Sequence, residues 1–159
     1  MIQLSNISLA FGQRVLMKGV TAHFKRGEMV ALLGRNGTGK STLLRAMAKL
    51  GEVADGEIMV DGHNVADIDI RQFARLVAFV NTERVDVEAL SAYDLVAIGR
   101  SPYTDWMGRL RKEDRAVIER SMQITGIEHL ADRMVETLSD GECQRVMIAR
   151  ALAQDTPVI

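Results

Sequence analysis

The sequence predicts an α/β fold: half-buried strands at the N-terminus, a strand–loop–helix core, and a helical middle. Three observations carry that prediction. A continuous apolar run at 29–33 leads into a glycine-rich stretch at 34–39 and then into helical apolar spacing. Two alternating segments, 1–9 and 14–24, come before it and read as half-buried strands. From about 82 to 137 the apolar spacing turns helical.

The elements follow in order. In 1–9, Ile2, Leu4, Ile7 and Leu9 are apolar with polar residues between them. Arg26-Gly27-Glu28 is a turn. The uninterrupted run 29–33 fits a strand covered on both faces, as in a parallel sheet. Leu43, Leu44, Met47 and Leu50 line one face of a helix over 40–50, with Gly51 as its C-terminal cap. Residues 57–65 form a hairpin, with Asp61-Gly62 supplying the two positive-φ positions. A short helix over 68–75 precedes a second buried strand at 76–80. Residues 81–90 read as a loop. Ser91 caps a helix over 91–98 with Asp94 three residues on, and Gly99 ends it. Residues 100–110 are aromatic and irregular. Residues 113–125 form an amphipathic helix stopped by Gly126, and a last helix runs from about 140 to 154.

Composition bounds the function. The 159 residues suit one domain with a subdomain. With 47% hydrophobic and 26% charged residues, disorder and coiled coil are excluded. A net charge of −1 disfavours binding to duplex DNA through bulk positive charge, and no nucleic-acid partner is expected. The single cysteine, Cys143, cannot form an internal disulfide, which fits a reducing compartment. It reads as a small structural residue, because no base or partner thiol is evident. Apolar runs of about five residues are far short of the ~20 a membrane helix needs. The first residues show no basic region followed by an apolar stretch. Pro157-Val158-Ile159 reads as a buried strand just begun, which predicts a piece of a longer protein.

Gly34-Arg35-Asn36-Gly37-Thr38-Gly39-Lys40-Ser41 matches the phosphate-loop pattern G-x-x-x-x-G-K-[ST]. A polyphosphate must be ringed by backbone N–H groups, and the glycines let the chain curl that tightly. The loop opens a helix, whose N-terminus carries roughly half a positive charge. Lys40 adds a full charge for the β and γ phosphates. The Ser41 hydroxyl suits Mg²⁺, a hard cation that prefers oxygen, and Thr42 completes the candidate nucleotide-binding set.

The second motif is Leu138-Ser139-Asp140-Gly141-Glu142. By itself, Ser139-x-x-Glu142 is a helix capping box. With the following Gln144-Arg145-Val146-Met147-Ile148-Ala149-Arg150-Ala151-Leu152, it resembles the signature sequence and helix of ABC ATPases. The order of the two motifs, with a helical subdomain between, also resembles that family over essentially the whole chain. The resemblance implies the P-loop NTPase, ABC-type ATPase fold: N-terminal antiparallel strands, a RecA-like core and an α-helical subdomain, incomplete at the C-terminus. It divides the single partial domain 1–159 into a β subdomain with the phosphate-loop core (1–80), the helical subdomain (82–137), and the signature helix with the start of the next core strand (138–159). It also implies ATP and Mg²⁺ as cofactors and Phe11 as the adenine-stacking aromatic, with core packing as the lesser alternative for a lone Phe in a strand. Ser139 and Gly141 would meet the γ-phosphate held by a second copy, giving a head-to-tail homodimer.

The sequence departs from the family pattern in three places. Asp140 and Glu142 make the signature acidic and would repel a γ-phosphate. Thr82 stands where the family has a glutamine that touches Mg²⁺ and couples to the membrane subunit, and Glu83 could substitute for it. The Mg²⁺-binding aspartate, the general-base glutamate and the switch histidine would lie beyond Val158-Ile159. His23, His63 and His129 precede the signature and read as ordinary surface histidines. The catalytic base is thus unassigned, and this chain is expected to bind ATP but hydrolyse it poorly.

Residues 95–103 and 106–110 resemble importer ATPases that serve ferric siderophores, haem or cobalamin. Tyr93, Tyr103 and Trp106 suit an anchor on transmembrane permease subunits, or a loop packed on its own subdomain. The implied location is cytoplasmic, peripheral on the inner face of the cell membrane. The resemblance therefore points to the energy-coupling ATPase subunit of an importer. The alternatives are an ATP-binding module without turnover, or a soluble ABC ATPase of DNA repair or translation.

Overall fold

The computed structural model describes residues 1–12, 14–81 and 89–159, and for Phe11 the backbone only. The chain divides into two compact units, Met1–Leu76 with Val158, and Val77–Pro157 with Ile159.

The first unit is built on a four-stranded antiparallel sheet in the order β2-β1-β3-β4. β1 (Ile2–Phe11) and β2 (Arg14–Phe24) form the hairpin that the two alternating segments predict. β3 (Asp55–Val60) pairs with the other edge of β1, with Leu4 opposite Ile58. Ile2 with Leu4, and Ile7 with Leu9, are buried at two-residue spacing, and an irregularity between Leu4 and Ile7, where Asn6 has φ 55°, shifts the phase so that both pairs face the core. β4 (His63–Asn64) follows the Asp61-Gly62 turn, where φ is 50° and 86°. Two positive φ values match the right-handed twist of a hairpin, which is why the Asp-Gly pair was a reliable signal. α2 (Ile70–Phe73) is shorter than expected and starts at Asp69, whose carboxylate accepts from the Arg71 and Gln72 N–H groups.

The two expected core strands are not strands here. Residues 29–33 are irregular, with Met29 99% and Leu33 87% exposed. A strand of a parallel sheet exists only as a paired partner, and among the described residues none lies alongside this run. Residues 76–80 make one bridge at Val77 and no ladder, although Val77 and Ala78 are buried. α1 (Lys40–Met47) also stops before the expected residue 50. Lys49, not Gly51, takes the positive φ, at 57°. Its ammonium donates to the carbonyls of Val65 (2.6 Å), Ala66 (3.3 Å) and Ile68, which holds the chain in that turn.

The second unit is helical. α3 (Ala92–Ala97) begins in the expected capping box: the Asp94 N–H donates to Ser91 Oγ at 3.0 Å, and the Ser91 N–H to Asp94 Oδ2 at 3.1 Å. Gly99 does not end the helical path, which continues as a 3-10 helix over Ile98–Tyr103. Gly99 instead permits close packing: a Cβ there would collide with the Arg150 carbonyl oxygen. α4 (Lys112–Thr125) ends at Gly126 with φ 66°, as expected. α5 (Asp140–Ala153) packs against α3 and α4 around Val96, Ile118, Met122, Val146 and Ala149. Each buried side chain of the size of Ile118 or Val146 contributes about 1.5–3 kcal/mol. Cys143 is part of this core, as its reading as a structural residue anticipates.

Candidate functional site

The glycine-rich loop closes on itself. Lys40 Nζ donates to the carbonyls of Gly34 at 2.7 Å and Arg35 at 2.8 Å, and Thr38 Oγ1 donates to the same Arg35 carbonyl at 2.8 Å. The lysine thus spans the loop from its own helix. Gly37 and Gly39 have φ of 78° and 91°, a region that L side chains avoid. Gly39 is also the N-cap of α1, and no side chain caps this end. A Cβ at Gly39 would lie 3.1 Å from Leu16 Cβ, so the glycine lets the loop seat against β2.

Beside the loop lies a cavity of about 490 Å³, lined by Arg14 and Leu16 of β2, by Asn36 and Gly37, and by residues 39–42. Among the described residues its charged groups are Arg14 and Lys40, with no carboxylate in the lining. With backbone N–H groups at a helix start, this is an environment for an anion. The structure therefore brings together Asn36, Gly37, Gly39, Lys40, Ser41 and Thr42. Gly34, Arg35 and Thr38 act from the loop's hydrogen bonds. Phe11 sits across the β1–β2 ladder from Arg14, and its side chain lies outside the described atoms. Arg14 was missed from the sequence. The only signal was its place three residues after Phe11, and a strand's edge register is not written in local composition.

The second motif forms the start of α5. Ser139 is the N-cap, flanked by Leu138, which is buried. Ser139 Oγ donates to Glu142 Oε2 at 2.7 Å, the Ser139 N–H donates to the same oxygen at 2.8 Å, and the Glu142 N–H returns to Ser139 Oγ at 3.4 Å. Arg133 Nη1 lies 3.2 Å from Glu142 Oε1, and its Nη2 donates to the Thr137 carbonyl at 2.8 Å. The Ser139 bonds, aided by Arg133 and Arg145, hold the Glu142 carboxyl below its ordinary value of 4.5. The expected repulsion is therefore qualified: the charge of Glu142 is turned back onto Ser139 and Arg133. Asp140 and Gly141 occupy the first turn of α5 and are exposed.

Other candidates fall out differently. Thr82 and Glu83 lie outside the described residues. Of the three aromatics, Tyr93 packs on the helical core, and Tyr103 lies under Arg100 at 4.0 Å with its hydroxyl 3.4 Å from the Asp155 carbonyl. Tyr93 and Tyr103 are half-buried, and Trp106 is 91% exposed. His23, His63 and His129 are exposed. Among the described residues, no group of three or more His, Cys, Asp or Glu could hold a metal. No described helix is long and apolar enough to cross a membrane.

A family model described as ABC transporter matches residues 17–159. The chain belongs to the ABC transporter family. It is 38% identical over its full length to an ABC transporter ATP-binding protein of Methanocaldococcus jannaschii, of which it covers 55%. It is 36% identical to the petrobactin import ATP-binding protein of Bacillus anthracis, with 100% of this chain and 58% of the relative covered. It is also 36% identical to the ferric enterobactin transport ATP-binding protein of Escherichia coli, with 96% and 56% covered. The chain thus spans somewhat more than half the length of these curated relatives. Among solved structures, a dimeric bacterial ABC transporter cassette superposes with a TM-score of 0.84 at 28% identity, covering 99% of this chain and 72% of that one. An inward-facing metal-chelate type ABC transporter superposes at 0.80 and 26% identity, covering 97% and 56%. The fold is that of the ABC ATPase cassette.

Proposed function

We propose that this chain is the nucleotide-binding part of an ATPase subunit that powers import through a membrane permease. The observation that carries the reading is the cavity at the loop: two cations, a helix start without a side-chain cap, and no carboxylate among the described residues that line it. In this reading ATP enters with its β and γ phosphates against residues 34–42. Lys40 exchanges its loop carbonyls for phosphate oxygens. The Ser41 hydroxyl, in the lining of the cavity, would help to hold Mg²⁺, a hard cation that takes oxygen ligands and would neutralise phosphate charge there. Phe11 stacks on the adenine. Ser139 and Gly141 meet the γ-phosphate bound by a second copy, arranged head to tail, which requires the Ser139 hydroxyl to turn from Glu142 to the phosphate.

The cargo reading rests on the relatives, several of which are named for siderophore import. We assign the chain to that class, working at the inner face of the membrane against permease subunits. Trp106 is the candidate anchor, and Thr82, with Glu83 beside it, takes the coupling position. The division by role is 1–80 for the β and phosphate-loop part, 82–137 for the helical part and 138–159 for the signature helix.

Calorimetric titration with MgATP tests the core of this reading. Lys40→Ala is expected to weaken binding by about 100-fold, since it removes both the charge-assisted contact to phosphate and the bonds that tie the lysine to the Gly34 and Arg35 carbonyls. Equal affinity in the variant and the parent would overturn it.

A further inference from the structure

We propose that Arg14 is a second cationic contact for the nucleotide, placed to take the phosphate nearest the nucleoside; this rests on the nucleotide reading above. Four observations converge on it. Arg14 is the first residue of β2, and its backbone pairs with Phe11, the proposed adenine-stacking residue. It lines the loop cavity from the strand side, opposite Asn36, Gly37 and the start of α1. Two residues on, Leu16 packs against Gly39, so the strand carrying Arg14 is seated on the loop itself. Finally, Arg14 has no ion pair among the described residues. Arg26 pairs with Asp61, Arg100 with Asp114 and Arg133 with Glu142.

Lys40 donates to the Gly34 and Arg35 carbonyls, whereas Arg14 brings its charge to a cavity with no counter-charge among its described lining residues. An exposed guanidinium beside an anion-binding loop gains most from a phosphate, which it can grip with two parallel N–H groups. Its position sets which phosphate. The loop and Lys40 take the outer phosphates in this reading, and Arg14, which lines the same cavity, pairs in the ladder with Phe11 at the proposed adenine end, which assigns it the phosphate nearest the nucleoside. A contact there serves ATP and ADP alike. It therefore acts on nucleotide affinity and does not distinguish the two states.

The test is calorimetric titration of the folded protein with MgATP, MgADP and adenosine, its fold checked by circular dichroism. Arg14→Ala and Arg14→Gln are each expected to weaken MgATP and MgADP by the same factor, about 5- to 20-fold, and to leave adenosine unchanged. Arg14→Lys should recover part of the loss. Lys18→Ala, on the same strand but outside the cavity, controls for the change in net charge. Parental affinity in both Arg14→Ala and Arg14→Gln, while Lys40→Ala still abolishes binding, overturns the proposal and leaves the nucleotide reading standing. A loss confined to MgATP overturns the assignment to the inner phosphate. A folded parent that binds no better than Lys40→Ala overturns both.

Discussion

Arg100 and Asp114 form a buried ion pair at 2.9 Å, with side chains 8% and 5% exposed. Arg100 Nη1 also donates to the Ala153 carbonyl at 3.0 Å, and Asp114 Oδ2 accepts from the Arg111 N–H at 2.9 Å. Burial alone would raise the Asp114 carboxyl. The Arg111 N–H and the Arg100 guanidinium outweigh it and hold the group below its ordinary value of 3.8. Residues 109–120 carry charges of both signs, as a solvated helix face does, and most of those charged side chains are exposed. Asp114 is the exception, because its partner is fourteen residues away on another element. Asp114→Ala leaves the Arg100 charge buried and unpaired. We expect it to cost about 3–5 kcal/mol in urea unfolding, whereas an exposed aspartate would cost under about 0.5 kcal/mol.

At the scale of one element, the start of α5 shows how a motif can serve two purposes. Ser139 and Glu142 form a capping box, as their spacing required, and Arg133 adds a counter-charge that the sequence did not reveal. Ser139→Ala should destabilise the helical unit by about 1 kcal/mol, read as a lower urea midpoint. Acid should act in the same place. The folded pKa of Glu142 lies below its unfolded value, so its contribution is present above about pH 4.5 and is lost as the pH falls through the folded pKa. The parent's midpoint should drop on acidification below that point. Glu142→Gln should lose stability at neutral pH and show a flatter acid limb. An unchanged acid limb in that variant would count against the Glu142 bonds.

The whole molecule decides the fate of the apolar run at 29–33. By composition it is a core strand; in the structure it is irregular and largely exposed. The two readings differ sharply in energy. At its observed exposure, Leu33→Ala should change stability by less than about 0.5 kcal/mol. In a covered strand it would cost about 2–5 kcal/mol. Chemical denaturation of that one variant separates them.

Much of the fold and the site was legible in the residues themselves. The phosphate loop, both capping boxes, the Asp61-Gly62 hairpin and the Gly126 stop are local: each follows from a few consecutive residues whose conformational needs are met within a turn. The phosphate loop, followed by the 138–152 stretch, carried the resemblance to the family and the candidate nucleotide residues. Partnership was decided only in three dimensions. Arg14 joined the cavity through the β1–β2 register, Arg133 reached Glu142 from another segment, and Gly99 proved to be a packing contact with α5 and not a helix stop. The run 29–33 shows the same division in the other direction. A sequence specifies that a segment can be a strand, but pairing and burial come from neighbours distant along the chain.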